Sequence, residues 1–309
     1  MLTEWFFVGA GLVLLFAGGE ALVRGAVGLS RRFGVSELVI GLTIVGFGTS
    51  MPELLVSLDA ALGGESDIAL GNVIGSNTAN VLLIVGHSTL VAPIAAWDKA
   101  VRREAMVMAG AALVMLAVGF TGVVSAMTGL VMLALLAAFL FAAFRSSGGQ
   151  GSAGDHQPES RSVALLLLIT LCGLAALFGG ARLLVDGATA IATALGVSQA
   201  VIGLTIVAVG TSLPELATSL VAAIRGNSAV SLGNIVGSNI FNIFGILGIT
   251  ALVTPVPVSG MMQRFDIPVM VAASLLLLVI LRFATRIPRL GGLAMLAGYG
   301  AYTAMLFAR

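Results

Sequence analysis

The sequence predicts an all-α polytopic membrane protein of ten transmembrane helices, arranged as two inverted-topology five-helix repeats. Three observations carry this expectation. Of 309 residues, 59% are hydrophobic and 9% charged, with mean hydropathy +1.11, whereas soluble domains carry about 25% charged residues. Apolar stretches of spanning length recur from one end of the chain to the other. Residues 34–86 align onto 196–248 without a gap, position n falling on n+162, with 31 identities in 53 positions.

A spanning helix needs about 20 predominantly apolar residues. On that ruler the segments are 4–29, 37–62, 68–92, 104–121, 124–144, 163–193, 198–224, 229–253, 267–284 and 290–308. The first follows Met1-Leu2-Thr3-Glu4 with neither a basic leader nor a small-residue cleavage site, so it is expected to be a retained span. The second carries Gly-Thr-Ser-Met-Pro-Glu at 48–53 and the third Gly-Asn-Val-Ile-Gly-Ser-Asn-Thr-Ala-Asn at 71–80. The fourth and fifth are apolar runs that end at Arg145–Ser162, where Ser-Ser-Gly-Gly-Gln-Gly-Ser-Ala-Gly is linker chemistry. The sixth opens the second half. The seventh repeats the first motif as Gly-Thr-Ser-Leu-Pro-Glu at 210–215, the eighth repeats the second as Gly-Asn-Ile-Val-Gly-Ser-Asn-Ile-Phe-Asn at 233–242, and the ninth and tenth close the chain. The expected organisation is therefore 1–144, a first five-helix repeat; 145–162, a linker; and 163–309, a second repeat. Five is odd, so the second half enters the membrane with opposite orientation, which makes the duplication an inverted repeat.

Cytoplasmic loops hold the excess of Lys and Arg. With the N-terminus outside, eleven basic residues fall at inner loops and helix ends, from Arg31 and Arg32 to Arg289. Only Arg264 and Arg309 fall outside, with Arg24 and Arg182 inside spans. The expectation is a cell (inner) membrane protein with both termini outside and the linker cytoplasmic. Fourteen Arg to one Lys suggests a GC-rich bacterial genome. An outer-membrane barrel is disfavoured, because its lumen alternation needs more polar residues. A net charge of +1 gives no reason to expect a nucleic-acid partner. Cys172 is the one cysteine, which rules out an intrachain disulfide, and its apolar neighbours suggest a packing role.

Glu53 and Glu215 sit near the middle of their spans, where an ionised carboxylate costs several kcal/mol unless paired or hydrated. Their presence in both halves favours a cation or proton site over a structural carboxyl that stays protonated. Pro52 and Pro214 remove a backbone donor, so each helix is expected to break near Gly48 and Gly210 and free carbonyls there. Ser76 and Asn80 are i and i+4 on one helical face, as are Ser238 and Asn242. Interhelical hydrogen-bond glue is the alternative reading for them, and the favoured one for Asn72, Asn77, Asn234 and Asn239. Gly71, Gly75, Gly233 and Gly237 form small-xxx-small surfaces for close helix contact. Carboxylate, hydroxyl, amide and carbonyl oxygens without His or Cys form a hard-oxygen set that suits Ca²⁺ or Na⁺ over zinc or copper. Two carboxylates neutralise one Ca²⁺.

Both repeats resemble the paired alpha-repeats of the sodium/calcium exchanger family, of the bacterial or archaeal type, within the cation/Ca²⁺ antiporters. The resemblance implies Na⁺/Ca²⁺ antiport by alternating access at a mid-membrane site, with Ca²⁺ and Na⁺ as transported ions and no cofactor. Its ligand side chains would be Ser50, Glu53, Ser76, Asn80, Ser212, Glu215, Ser238 and Asn242, with Glu53 and Glu215 as the metal carboxylates. Backbone carbonyls of Gly46, Thr49, Ala208 and Thr211 would complete the cage. Some members carry Asp where Asn242 stands, so two carboxylates are expected here rather than three. Proton-coupled relatives carry an acid where this chain has Val73–Ile74 and Ile235–Val236, which disfavours Ca²⁺/H⁺ exchange, the alternative antiporter. A cation channel, a different class, would need a filter loop that is not seen, and no HExxH or GxSxG motif suggests an enzyme. The lipid bilayer and the ions are the expected partners, and a monomer the expected working unit.

Of the remaining charges, Glu20–Arg24 and Arg182–Asp186 are i,i+4 pairs that make burial in a span tolerable. Asp59, Glu65 and Asp67 are expected at an outer vestibule, and His87 and His156 in structural or solvated places.

Overall fold

The computed structural model describes residues 2–95, 99–147, 160–196 and 208–308. Helix α1 (Leu2–Phe33) ends at Gly34, whose φ of 67° lets the chain turn where a side chain would be strained. Ser36 then caps α2 (Glu37–Thr49), its hydroxyl accepting from the Val39 N–H at 3.3 Å. Helix α3 (Met51–Leu62) follows at a 44° bend, and α4 (Ser66–Val91) returns across the molecule. After strand β1 (Ile94–Ala95) come α5 (Lys99–Gly119), β2 (Val123–Val124) and α6 (Ala126–Ser147). The second half has α7 (Val163–Ala194), α8 (Leu213–Ile224), α9 (Ser228–Val253), β3 (Val256–Pro257), α10 (Met262–Phe283), β4 (Arg286–Ile287) and α11 (Arg289–Phe307). A short turn, Ala208–Gly210, precedes α8.

The fold is all-α and polytopic, but ten spans are not displayed. Among the described residues seven helices are long and apolar enough to cross a membrane, or eight if bent α2 and α3 count as one. Helix α5 opens with Lys99, Arg102, Arg103 and Glu104, which dilutes its apolar character. The expected span 198–224 is seen only from residue 208 onward, and most of the expected linker, His156 included, lies outside the described residues.

Close contacts follow the glycines. Helices α1 and α7 run antiparallel with Gly11, Gly18 and Gly25 facing Gly180, Gly173 and Thr170. A methyl group added at Gly11 would lie 2.7 Å from the Leu184 nitrogen, and one at Gly173 2.6 Å from the Leu22 nitrogen. Such backbone-to-backbone approach is how helices gain packing in lipid, where no hydrophobic drive brings them together. Helix α2 approaches α9 in the same way: a Cβ at Gly237 would lie 2.4 Å from the Leu42 oxygen, and one at Gly233 2.8 Å from the Leu38 oxygen. Gly71 and Gly75 make no comparable backbone contact among the described residues. The apolar core lies between α4, α5, α9 and α10, around Leu70, Ile74, Met108, Ile235, Met270 and Leu277. Leucines and phenylalanines such as Leu12, Phe16, Leu168 and Leu276 are exposed, as a lipid-facing surface requires. Cys172 is exposed too, against the packing role expected of it. In a membrane both core and exterior are apolar, so apolar neighbours do not distinguish them.

Two short antiparallel ladders tie the ends of the helices. Ile94 pairs with Ile287 and Ala95 with Arg286, and Val123 pairs with Pro257 and Val124 with Val256. Glu20 is more than the i,i+4 partner of Arg24, because its carboxylate also holds Arg225, just beyond α8. Arg182 and Asp186 pair loosely at 3.8 Å and are exposed.

Candidate functional site

The local sequence explains how a carboxylate is held in the core twice. Helix α3 starts at Met51 and α8 at Leu213, so Pro52 and Pro214 occupy the first turn, where a missing N–H leaves no bond unmade. The breaks therefore fall at Ser50 and Ser212 (ψ 6° and 3°), two residues beyond the positions expected, Gly48 and Gly210. Glu53 and Glu215 become the third residues of their helices, where free backbone N–H groups and the positive end of the helix dipole favour an anion. Ser-x-x-Glu is the spacing of a capping box, a signal the motif reading overlooked. Here the serine leaves its own helix uncapped and crosses to the other half. The Ser50 hydroxyl donates to Glu215 Oε1 at 3.1 Å, and Ser212 lies near Glu53 in the same way.

The asparagines of the second motif brace this arrangement. Asn72 Nδ2 donates to the Glu53 carbonyl at 3.0 Å and to Ser57 Oγ at 2.8 Å. Asn234 repeats both bonds in the other half, to the Glu215 carbonyl at 3.3 Å and Ser219 Oγ at 2.9 Å, and accepts from Thr49 Oγ1 at 3.1 Å. Asn80 Nδ2 donates to Asn239 Oδ1, and Asn242 Nδ2 to Asn77 Oδ1, each at 3.0 Å. The glue reading of Asn72, Asn77, Asn234 and Asn239 thus agrees with their hydrogen bonds. Just past these contacts the helices widen into π-turns, Asn80–Ile84 in α4 and Phe241–Ile246 in α9. Such widening is frequent at functional sites, and nothing in the motif spacing announced it.

Of the residues expected to bind ions, Ser50, Glu53, Ser76, Asn80, Ser212, Glu215, Ser238 and Asn242 are all buried. Hydrogen bonds link the Ser50 hydroxyl to the Glu215 carboxylate and Ser238 Oγ to the Gly46 carbonyl at 3.3 Å. Thr49 Oγ1 also lies 3.0 Å from the Val45 carbonyl, so that carbonyl and Asn234 share its one hydrogen. Thr211 presents a buried hydroxyl oxygen without a partner. Ala208 is described only in its backbone. Among the expected side-chain ligands, four acceptor oxygens are buried without a hydrogen-bond donor: Glu53 Oε2, Glu215 Oε2, Asn80 Oδ1 and Asn242 Oδ1. A buried polar oxygen left unpaired costs about 1–3 kcal/mol, more if charged. Two carboxyl oxygens and two amide oxygens left open in the core are chemically suited to a hard cation. No cluster of three or more His, Cys, Asp or Glu side chains occurs among the described residues, so the charge available is that of two carboxylates.

Asp59, Glu65 and Asp67 are exposed. His87 is exposed and its Nδ1 lies 3.0 Å from the Leu83 carbonyl of its own helix.

Residues 3–145 and 165–308 match the family model described as sodium/calcium exchanger protein. The chain is 34% identical to the inner membrane protein YrbG of Escherichia coli, over 96% of this chain and 94% of that one. It is 34% identical to the sodium/calcium exchanger MaX1 of Methanosarcina acetivorans, over 96% of each. Among solved structures, the sodium-calcium exchanger NCX_Mj soaked with zero Na⁺ and Ca²⁺ superposes with a TM-score of 0.88 at 35% identity, covering 98% of this chain and 99% of that one.

Proposed function

We propose, from the premise that this chain belongs to the sodium/calcium exchanger family, that it is a secondary active Na⁺/Ca²⁺ antiporter working by alternating access at one mid-membrane site. Its relatives are transporters rather than enzymes. The observation that carries the reading is the set of four buried acceptor oxygens without donors, on Glu53, Glu215, Asn80 and Asn242. Two carboxylates balance one Ca²⁺, and Na⁺ ions would compete for the same oxygens. With neither present the two anions repel in a medium of low dielectric, so reorientation of the empty site is costly and exchange is coupled. Ser50, Ser212, Ser76 and Ser238 supply neutral hydroxyls, which can turn an oxygen to the ion and a hydrogen to a neighbour. The carbonyls of Gly46, Thr49, Ala208 and Thr211 complete the set; that of Gly46 comes into play as the Ser238 hydroxyl rotates away from it. Val73, Ile74, Ile235 and Val236 are buried and apolar, which supports Na⁺ over H⁺ as the coupling ion.

The proposed frame is ten spans in two inverted repeats, 1–144 and 163–309, joined by a cytoplasmic linker at 145–162, with both termini outside the inner membrane. Two features support it. The bonds of Asn72 and Ser57 recur at n+162 in Asn234 and Ser219. Each strand ladder also joins loops that the ten-span order puts on the same side. All the site residues lie in one chain, so a monomer suffices.

The test is Ca²⁺ uptake into proteoliposomes driven by an outward Na⁺ gradient, with Glu53→Gln and Glu215→Gln. Both variants are expected to lose uptake entirely. Normal uptake in either overturns the site, a pH gradient that substitutes for Na⁺ establishes Ca²⁺/H⁺ exchange, and single-channel currents establish a channel.

A further inference from the structure

Two hydrogen-bond chains run from the apolar core to the two neutral amides of the site, and each begins at a methionine sulfur. In the first, Asn239 Nδ2 donates to Met108 Sδ at 3.3 Å, Asn239 Oδ1 accepts from Asn80 Nδ2 at 3.0 Å, and Asn80 Oδ1 is buried without a donor. In the second, Asn77 Nδ2 donates to Met270 Sδ at 3.7 Å, Asn77 Oδ1 accepts from Asn242 Nδ2 at 3.0 Å, and Asn242 Oδ1 is buried without a donor. Met108, in α5, and Met270, in α10, are both fully buried. They stand at n and n+162, outside the window of the duplicated motifs.

An asparagine amide has an acceptor end and a donor end, and half a turn about its last bond exchanges them. Offered to a cation, the oxygen end attracts and the NH₂ end repels, so orientation decides whether Asn80 and Asn242 are ligands at all. A thioether accepts a hydrogen bond weakly and has no hydrogen to give. A sulfur beside Asn239 is therefore faced by the NH₂ end, which sends the Asn239 oxygen to Asn80, which in turn takes it with its NH₂ and leaves its own oxygen for the site. We infer that Met108 and Met270 are positioning residues that orient Asn80 and Asn242 so that both present oxygen to the transported cation. The inference rests on the antiporter reading above. The two chains are not equal. Asn77 Nδ2 is also held by the Asn239 carbonyl at 3.2 Å, whereas Met108 is the acceptor that holds Asn239 Nδ2. Met108 is the more consequential of the pair.

Leucine nearly matches methionine in volume but accepts no hydrogen bond, and such swaps are well tolerated in cores. The experiment uses the full chain with Met108→Leu and Met270→Leu. It measures the half-saturating Ca²⁺ of Na⁺-driven uptake, and the melting temperature in detergent with and without CaCl₂. Met108→Leu is expected to raise half-saturating Ca²⁺ about 5- to 10-fold, the size of one lost oriented bond, and Met270→Leu about 2-fold. The ion-free melting temperature falls by no more than the loss of one weak hydrogen bond allows, while the rise given by CaCl₂ shrinks. Asn80→Asp supplies a side chain with no wrong end and one that asks Asn239 to present its NH₂. In that background Met108→Leu should leave half-saturating Ca²⁺ unchanged or lower it, with the CaCl₂-induced stabilisation read in its place where flux is lost. A Met108→Leu protein that melts lower without ions and keeps its half-saturation overturns the inference in favour of plain packing. An equal rise in the Asn80→Asp background also overturns it. If the unmodified protein shows neither Na⁺-driven Ca²⁺ uptake nor stabilisation by CaCl₂, the antiporter reading itself falls.

Discussion

At the scale of single residues, the helices that carry the two buried carboxylates are braced by asparagines of the second motif. Asn72 donates both its amide hydrogens across the hairpin of α3 and α4, to the Glu53 carbonyl and Ser57 Oγ. Asn72→Leu leaves both acceptors without that donor, at about 1–3 kcal/mol; a fall of several degrees in the detergent melting temperature is expected, and an unchanged one refutes the bracing role. The two buried acids were legible: doubled Glu in doubled apolar context singles out Glu53 and Glu215, and both are buried. The interhelical bonding of Asn77 and Asn239 was legible as well, but not its consequence. Which end of an amide points inward is decided by partners such as Met108, 131 residues away in the chain, and no local pattern encodes that. Ser50 shows the opposite failing. Its Ser-x-x-Glu spacing looks local, yet its hydroxyl serves a carboxylate 165 residues away.

At the scale of elements, glycine and proline set where helices touch and where they stop. On α1, a Cβ at Gly11 would press into the backbone of α7, while one at Gly9 would meet nothing within 4 Å. Gly11→Ala is therefore expected to destabilise the protein by about 1–3 kcal/mol and Gly9→Ala to be neutral, as read by melting temperature in detergent. Equal effects would deny the close approach. The motif reading placed the helix breaks correctly to within two residues. It erred because proline's clash reaches back to the carbonyl of residue i−4, whereas the chain resolves the conflict by starting a new helix with proline in its first turn. The π-turns at Asn80 and Phe241 were not legible, since one extra residue per turn leaves no mark on an unbroken apolar run. Cys172 was misjudged for a different reason: hydropathy separates lipid from water, not lipid from core.

At the scale of the molecule, neither half is self-sufficient. Ser50 satisfies Glu215, Asn242 donates to Asn77, Asn80 donates to Asn239, and the strand ladders pair β1 with β4 and β2 with β3. Two chains, 1–147 and 160–309, are expected to assemble when co-expressed and to restore Na⁺-driven Ca²⁺ uptake, with neither active alone. Activity in one half alone would refute the shared site. The all-α membrane class was plain from composition, and the order of elements largely so. The span count was harder to read because charges at the start of α5 and the polar breaks at Ser50 and Ser212 interrupt the hydropathy signal.

The fastenings group the helices differently from the order of the chain. Each ladder joins one half to the other at the rims, while α1 and α7, also drawn one from each half, meet along glycine-lined backbone. Neither kind of fastening joins neighbours in the chain: each ties a helix or strand before residue 147 to one after residue 160, so the grouping of helices in space is not their grouping in sequence.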